Sequence, residues 1–514
     1  MHVDARRLED GSVIEGDLCI VGAGAAGISM ALEWVTSKSR VILLEGGGFD
    51  YEPRMQELYR GESVGLPYFP LDAARLHYFG GTTGHWAGFC STLEPADFEV
   101  RDWVPHSGWP IGRADLDPYY ARAHRVLGLG PYEYDASAWQ RRDPGLVPFA
   151  FDSKIAWTKM WQFSAPARLG TLYRDAIVSA PGVHLYTHAN VCEIGANDSA
   201  TAVESLRVRT FEGKEHRVRA KRYVLACSTI QNARLLLASN RQATAGLGNG
   251  NDLVGRYFME HLEMPSGNLV TLGDRSANAR MYAFEFGRTK ARGEIALAPG
   301  VQRERRMLNA TVSLEPGAIG APAMSTFQWA TPAVVEGMRG PSGGTDTAAA
   351  PAPPIDTAAS PRAFHLLTRQ EQAPNPASRV TLAAERDALG VPRARLDWRL
   401  TELDRRSFRA FYEVLGREIG RSGVGRVQMR DWVLESPDAA WPSSLGGGWH
   451  HMGTTRMHDD PKQGVVDANC RVHSVGNLSM AGACVYPTAG SANPTLTLVA
   501  LSLRLSDRLK RVLG

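Results

Sequence analysis

The start of the chain carries the clearest pattern of apolar and polar positions. Asp17 to Val21 is a short apolar run, Ala25 to Val35 places small and apolar residues at helical spacing, and Arg40 to Leu44 is a second apolar run. Strand, helix and strand in this order make one βαβ unit and predict an α/β class. Farther on, Glu204 to Phe211 and Arg217 to Leu225 read as strands and Asn232 to Ala238 as a helix, which returns the chain to the first sheet. Between them, residues 96–190 are rich in Trp, Pro and Tyr, with short helical pieces such as Asp115 to Leu127. Ser378 to Ala383 and Ala394 to Leu400 alternate around a turn at 387–390, a helix is predicted from Asp404 to Ile419, and Pro494 opens an apolar-periodic helix to about Val512.

This pattern predicts a discontinuous Rossmann-like nucleotide domain, residues 1–95, 190–264 and 441–514. The substrate domain, a sheet backed by helices, takes 96–189 and 265–440. Inside the latter, residues 340–361 hold five prolines and only Ile355 as a large aliphatic, so the stretch cannot anchor itself in a core and reads as a flexible insertion or a lid.

Composition narrows the ligand. With 57 Lys and Arg against 54 Asp and Glu in 514 residues, the net charge of +3 gives no electrostatic reason to expect nucleic acid. The opening residues have no apolar stretch behind Arg6 and Arg7, and the run from Leu496 to Leu503 is far short of the roughly 20 residues that span a bilayer. A cytoplasmic protein without membrane contact is expected. The six cysteines are dispersed, the closest pair 14 apart, with no CxxC spacing for a metal or redox centre. They read as buried free thiols, and no metal site is expected.

Gly22-Ala23-Gly24-Ala25-Ala26-Gly27 is a G-x-G-x-x-G at the junction of strand and helix, and Glu45 ends the next strand. Gly22 makes the tight turn, Gly24 lets the backbone approach a pyrophosphate, and Gly27 allows close helix packing. Glu45 would accept from a ribose hydroxyl. The alternative is a merely structural βαβ, and the pattern alone does not separate FAD from NAD.

Other segments do separate them. Gly80-Gly81-Thr82-Thr83-Gly84-His85-Trp86, the stretch Lys221 to Ser239, Trp449-His450-His451-Met452-Gly453-Thr454 and Pro487 to Thr495 together resemble the glucose-methanol-choline (GMC) family of FAD oxidoreductases. So do 251–261 and 107–120. The nearest branch is that of pyranose oxidases and sugar dehydrogenases.

The resemblance implies FAD as cofactor, with contacts at Gly22, Gly24, Ala26, Gly27, Glu45, Gly81, Thr82, His85, Trp86, Ala87, Val191, Cys227, Ala483, Asn493, Pro494 and Thr495. It implies His450 as the base that takes the hydroxyl proton while hydride goes to flavin N5, and Asn493 as its partner. An imidazole near its ordinary pKa of about 6.5 suits that task. His85 stands where part of the family joins FAD covalently and another part only touches it. By side-chain alternation His451 points away from the site. Cys227-Ser228 replaces the usual Ala-Gly, and His458 stands where Gly is usual, which predicts strain if that turn has positive φ. The absence of a cysteine cluster sends electrons directly to oxygen or a diffusible acceptor.

The expected substrate is a small-molecule alcohol. Five of the 12 Trp, namely Trp157, Trp161, Trp329, Trp441 and Trp449, fall in substrate-facing text and would offer stacking platforms for a sugar or glycoside, although any one of them could be core. The reading is oxidation of a secondary sugar hydroxyl to a ketone. The alternatives are a non-sugar alcohol, a non-redox lyase on the same fold such as a hydroxynitrile lyase, or a binding protein that keeps FAD structurally. Gly340 to Gly344 formally fits G-x-S-x-G but lies in the low-complexity insertion, and it is rejected as a nucleophile motif.

Overall fold

The computed structural model describes residues 1–164, 167–272, 279–283, 289–316 and 363–514. The insertion at 340–361 and Trp329 lie outside them. The predicted βαβ unit is present as Val13–Val21, helix Ala25–Leu32 and Val41–Leu44. Val13–Val21 is the hub of an eight-stranded sheet and pairs in parallel with both Val41–Leu44 and Glu215–Leu225. Strands covered on both faces need apolar residues at every position, and Val41–Leu44 is fully buried. The cover on one side is helix Ala25–Leu32 with the C-terminal helix Pro494–Leu513, where Trp34 Nε1 donates to Ser506 Oγ at 2.7 Å.

One strand of this sheet lies outside the residues expected for the nucleotide domain. Val183–Thr187, assigned to the substrate domain, pairs in parallel with Val41–Leu44, so the nucleotide domain resumes before residue 190. His2–Asp4 extends the edge beside Val183–Thr187. Three residues carry too little periodicity to announce themselves.

The seven-stranded antiparallel sheet runs Gly425–Met429, His261–Thr271, Ala363–Glu371, Ala310–Pro316, Ala291–Leu297, Ala156–Phe163, Phe89–Cys90. Its two faces differ in chemistry. Thr368 points to helix Glu402–Arg421, where its Oγ1 meets Tyr412 Oη at 2.6 Å. The neighbouring Arg369 is opposite Glu263 and Thr311 in register, so all three share the other face, which turns toward the C-terminal loops.

A third sheet corrects another expectation. Arg379–Arg386 and Pro392–Trp398 do not join the large sheet; they pair with each other, and Pro392–Trp398 pairs in turn with Gly61–Gly65 from the N-terminal segment. Helix Thr229–Ala238 packs on them, and Arg234 forms a buried ion pair with Asp387 at 2.5 Å. This brings a segment read as substrate-facing against the nucleotide region. No described helix is long and apolar enough to cross a membrane.

Candidate active site

The glycine loop is built as its spacing predicts. Gly22 has φ 99°, and its N–H donates to Leu44 O at 2.7 Å. A Cβ on Gly27 would stand 1.8 Å from Gly22 O, so only glycine lets the helix sit so close to the turn. A Cβ on Gly24, by contrast, would meet nothing within 4 Å, which leaves an open cradle at the helix N-terminus. Glu45 is 5% exposed and accepts from Ala23 N–H at 2.9 Å and Gly47 N–H at 3.0 Å, fixing the loop while keeping lone pairs for a ligand hydroxyl.

The turn Gly81–Gly84 lies directly on this loop: Gly80 N–H donates to Ala23 O at 2.8 Å. His85 and Trp86 follow it, partly buried, with Trp86 Nε1 held by Ala167 O at 3.1 Å, while Thr82 and Ala87 are exposed. A cavity opens beside Gly22 and Glu45, lined by Val191, Cys227, Tyr59, His77 and Gln231. His77 stacks on Tyr59 at 4.4 Å, and Gln231 Oε1 is buried without a partner. His77 carries no sequence signal, and Gln231 lies within the Lys221 to Ser239 stretch but was not singled out. An open phosphate cradle, a ribose-facing carboxylate and an unpaired buried amide oxygen fit the dinucleotide half of FAD.

The catalytic candidates come together at the meeting of both large sheets. The glycine-rich segment before Trp449 runs antiparallel to the start of His261–Thr271, with Glu263 N–H donating to Gly446 O at 3.0 Å. A Cβ on Gly447 would collide with Glu260 Cγ at 2.5 Å, so glycine permits this approach. Trp449 then turns with φ 59°, and His450 N–H donates to Glu260 Oε1 at 2.5 Å. From the other side, Asn493 is the N-cap of helix Pro494–Leu513, and Pro494 stands at its first turn. The Asn493 side chain makes no capping bond, because it is committed elsewhere.

That commitment is the centre of the site. Trp161 Nε1 donates to Asn493 Oδ1 at 2.9 Å, and Asn493 Nδ2 lies 3.0 Å from His450 Nε2. An indole N–H can only donate, so Asn493 turns its carbonyl to Trp161 and its amide hydrogens to His450. His450 Nε2 is therefore bare and accepts, the state a base requires. His450 Nδ1 meets His261 Nδ1 at 2.9 Å, and His261 Nε2 meets Gly490 O at 2.8 Å. The pKa of His450 lies well below 6.5, first through burial and then through the charge of Arg369. Burial likewise lowers His261 to about 3 and raises Glu260 to about 8.

Several expectations change here. Trp161 is 0% exposed and positions Asn493 rather than offering a stacking face. Trp441 packs with Phe408 and Trp432 under Arg405. Trp157 and Trp449 remain partly buried, each with its indole N–H unpaired. His458 is not among the positive-φ residues, so the predicted strain is absent there, whereas Ser228 does sit at φ 86°. His451 is buried against Tyr68 and Phe258, turned from His450 as alternation predicts. Glu260 and His261 had no assigned role and were touched only by the 251–261 stretch of the family resemblance, while Trp161 was expected as a stacking platform and not as the partner of Asn493.

Fold and cradle define an FAD-dependent oxidoreductase, and residues 17–243 match the family model described as FAD dependent oxidoreductase. Residues 374–502, which include His450 and Asn493, match the model described as GMC oxidoreductase, so the chain carries a GMC oxidoreductase C-terminal domain beside its FAD-dependent oxidoreductase domain. It is 26% identical to 2-methyl-1,2-propanediol dehydrogenase of Mycolicibacterium austroafricanum over 97% of this chain and 96% of that one. With the fructose dehydrogenase large subunit of Gluconobacter japonicus it shares 24% identity over 96% of this chain and 97% of that one. Among solved structures it is similar in fold to the pyridoxine 4-oxidase of "Mesorbium loti", with TM-score 0.52, 18% identity and coverage of 96% and 99%.

Proposed function

We propose that the chain oxidises a secondary hydroxyl of a sugar or glycoside to the ketone, with His450 as the base. The observation that carries the reading is the bare Nε2 of His450 facing the amide hydrogens of Asn493. An incoming alcohol oxygen replaces Asn493 at His450 Nε2, delivers its proton there and accepts a hydrogen bond from the amide. The bound flavin supplies the two-electron oxidant that accepts the hydride. Burial keeps His450 neutral, and Trp161 keeps the amide aimed. Because Asn493 leaves the N-terminus of helix Pro494–Leu513 uncapped by its side chain, the partial positive charge of that terminus would favour negative charge on a ring bound beside it.

FAD is held, in this reading, by Gly22, Gly24, Ala26, Gly27 and Glu45, by Val191 and Cys227 along the cavity, and by Gly81, Thr82, His85, Trp86, Ala87, Ala483, Pro494 and Thr495 toward the ring. We assign His85 a non-covalent contact. Oxygen or a diffusible acceptor would take up the electrons.

A sugar is favoured by the polar face of the seven-stranded sheet, where Glu263, Arg369, Glu294 and Thr311 form a linked hydrogen-bonding wall on the side of His450. The fructose dehydrogenase relative agrees with it. A second reading, a small vicinal diol, draws on the propanediol dehydrogenase relative. The test is anaerobic bleaching of the flavin by D-fructose, phenyl glucoside and 2-methyl-1,2-propanediol, followed by air. His450→Ala should keep its FAD and lose at least about 1,000-fold in reduction rate; reduction at the wild-type rate would remove His450 from the role.

A further inference from the structure

The hydrogen-bond chain through the site has two ends that admit no choice of direction. At one end the Trp161 indole can only donate; at the other the Gly490 carbonyl can only accept. Read from the carbonyl, His261 must carry its proton on Nε2, which leaves its Nδ1 bare. A bare Nδ1 only accepts, so the proton between the rings belongs to His450 Nδ1. Read from the indole, Asn493 presents N–H to His450 Nε2, which must then be bare. Both readings give His450 the same tautomer.

We propose that His261 is a positioning residue that holds His450 in the Nδ1–H tautomer, so that Nε2 faces the substrate oxygen without a proton. The geometry around His261 is built for holding. It is 0% exposed, it begins strand His261–Thr271, and its rings meet those of His450 edge-on at 5.0 Å. Its neighbour Glu260 accepts from the backbone N–H groups of both His261 and His450. One residue of this dipeptide clasps the His450 backbone and the next clasps its ring. Gly490 is fixed in turn, since its N–H donates to Glu371 Oε1 at 3.3 Å and Glu371 is paired with Arg101 at 2.7 Å. The acceptor that orients His261 is thus itself anchored in a buried ion pair.

Without this acceptor the imidazole is free to place its proton on Nε2, where it would face the Asn493 amide donor and an alcohol O–H with nothing to accept either. When His450 has taken the substrate proton, the bare His261 Nδ1 still accepts from the imidazolium, so His261 itself gains no proton. A partner that orients a catalytic imidazole is worth roughly 10-fold to 10,000-fold in rate in other enzymes.

The rate arm of the test rests on the alcohol-oxidising reading; the spectroscopic arm does not. In the oxidised holoenzyme labelled with ¹⁵N-histidine, long-range ¹H–¹⁵N spectra should show the His450 ring, identified by its loss in His450→Ala, as the Nδ1–H tautomer. His261→Leu should abolish that signature. His261→Leu should also lower anaerobic flavin reduction about 100-fold with FAD content and substrate half-saturation unchanged. His261→Asn, whose side-chain oxygen can take the place of Nδ1, should restore the rate to within about 5-fold of wild type. The probe is whichever of D-fructose, phenyl glucoside or 2-methyl-1,2-propanediol bleaches wild type fastest. An Nε2–H tautomer at His450, an undiminished rate in His261→Leu, or equal losses in Leu and Asn variants would each overturn the proposal. If none of the probes bleaches wild type, the functional reading fails while the tautomer measurement still decides the role of His261.

Discussion

His450 and Asn493 stood out only through the family resemblance of their motifs, and the structure sets their side chains 3.0 Å apart. The residues that make them work were not readable, since each meets its partner from far along the chain: His261 is 189 residues from His450, and Trp161 is 332 from Asn493. Only the register of the seven-stranded sheet decides that a tryptophan on Ala156–Phe163 reaches an asparagine at a helix N-cap. Trp161→Phe removes the donor, leaving a buried amide oxygen unpaired at a cost of about 1–3 kcal/mol, and the smaller ring also leaves a cavity at this fully buried site. It should lower flavin reduction roughly 10-fold with modest loss of melting temperature. The depressed pKa of His450 also has a sign: a base whose conjugate acid is disfavoured stays neutral as pH falls through 6.5. The acid limb of the anaerobic reduction rate should therefore lie below pH 6.5, and a limb above it would contradict the burial argument. At His85, acid precipitation should leave the yellow colour in the supernatant.

Among the elements, the long periodic ones were legible and the short ones were not. The glycine loop, helix Thr229–Ala238 and helix Pro494–Leu513 stand within a few residues of the positions their patterns predict. The misplaced strand Val183–Thr187 is a five-residue segment whose membership in a sheet depends on a partner at 41–44, which no local pattern records. The βαβ junction supports a sharp prediction. Gly27→Ala drives a methyl group into Gly22 O, and backbone on both sides leaves nothing flexible to yield. Purified Gly27→Ala protein should carry little or no FAD, read from the ratio of flavin to protein absorbance.

At the scale of the whole molecule, the discontinuous plan of two large sheets was visible in the return of strand signals after residue 200. The third sheet was not, because it joins 61–65 of the nucleotide segment to 379–398 of the substrate segment, a pairing that no local pattern records. Buried charges also tie together distant segments of the substrate domain. Arg101 and Glu371 form a doubly bonded pair at 2.7 and 2.8 Å, 4% and 0% exposed, that reaches from the loop before residue 107 to the strand Ala363–Glu371. Removing one partner strands the other charge in the interior, so Arg101→Ala should cost about 3–5 kcal/mol in chemical denaturation. One strand, Ala156–Phe163, carries a consequence for anyone redesigning the enzyme. Its alternate residues Lys159 and Trp161 grip Ser491 and Asn493, alternate residues of the catalytic loop. Selectivity and turnover therefore share a hinge: remodelling this wall to admit a new alcohol will detune the machinery that oxidises it, unless positions 159 and 161 are left alone.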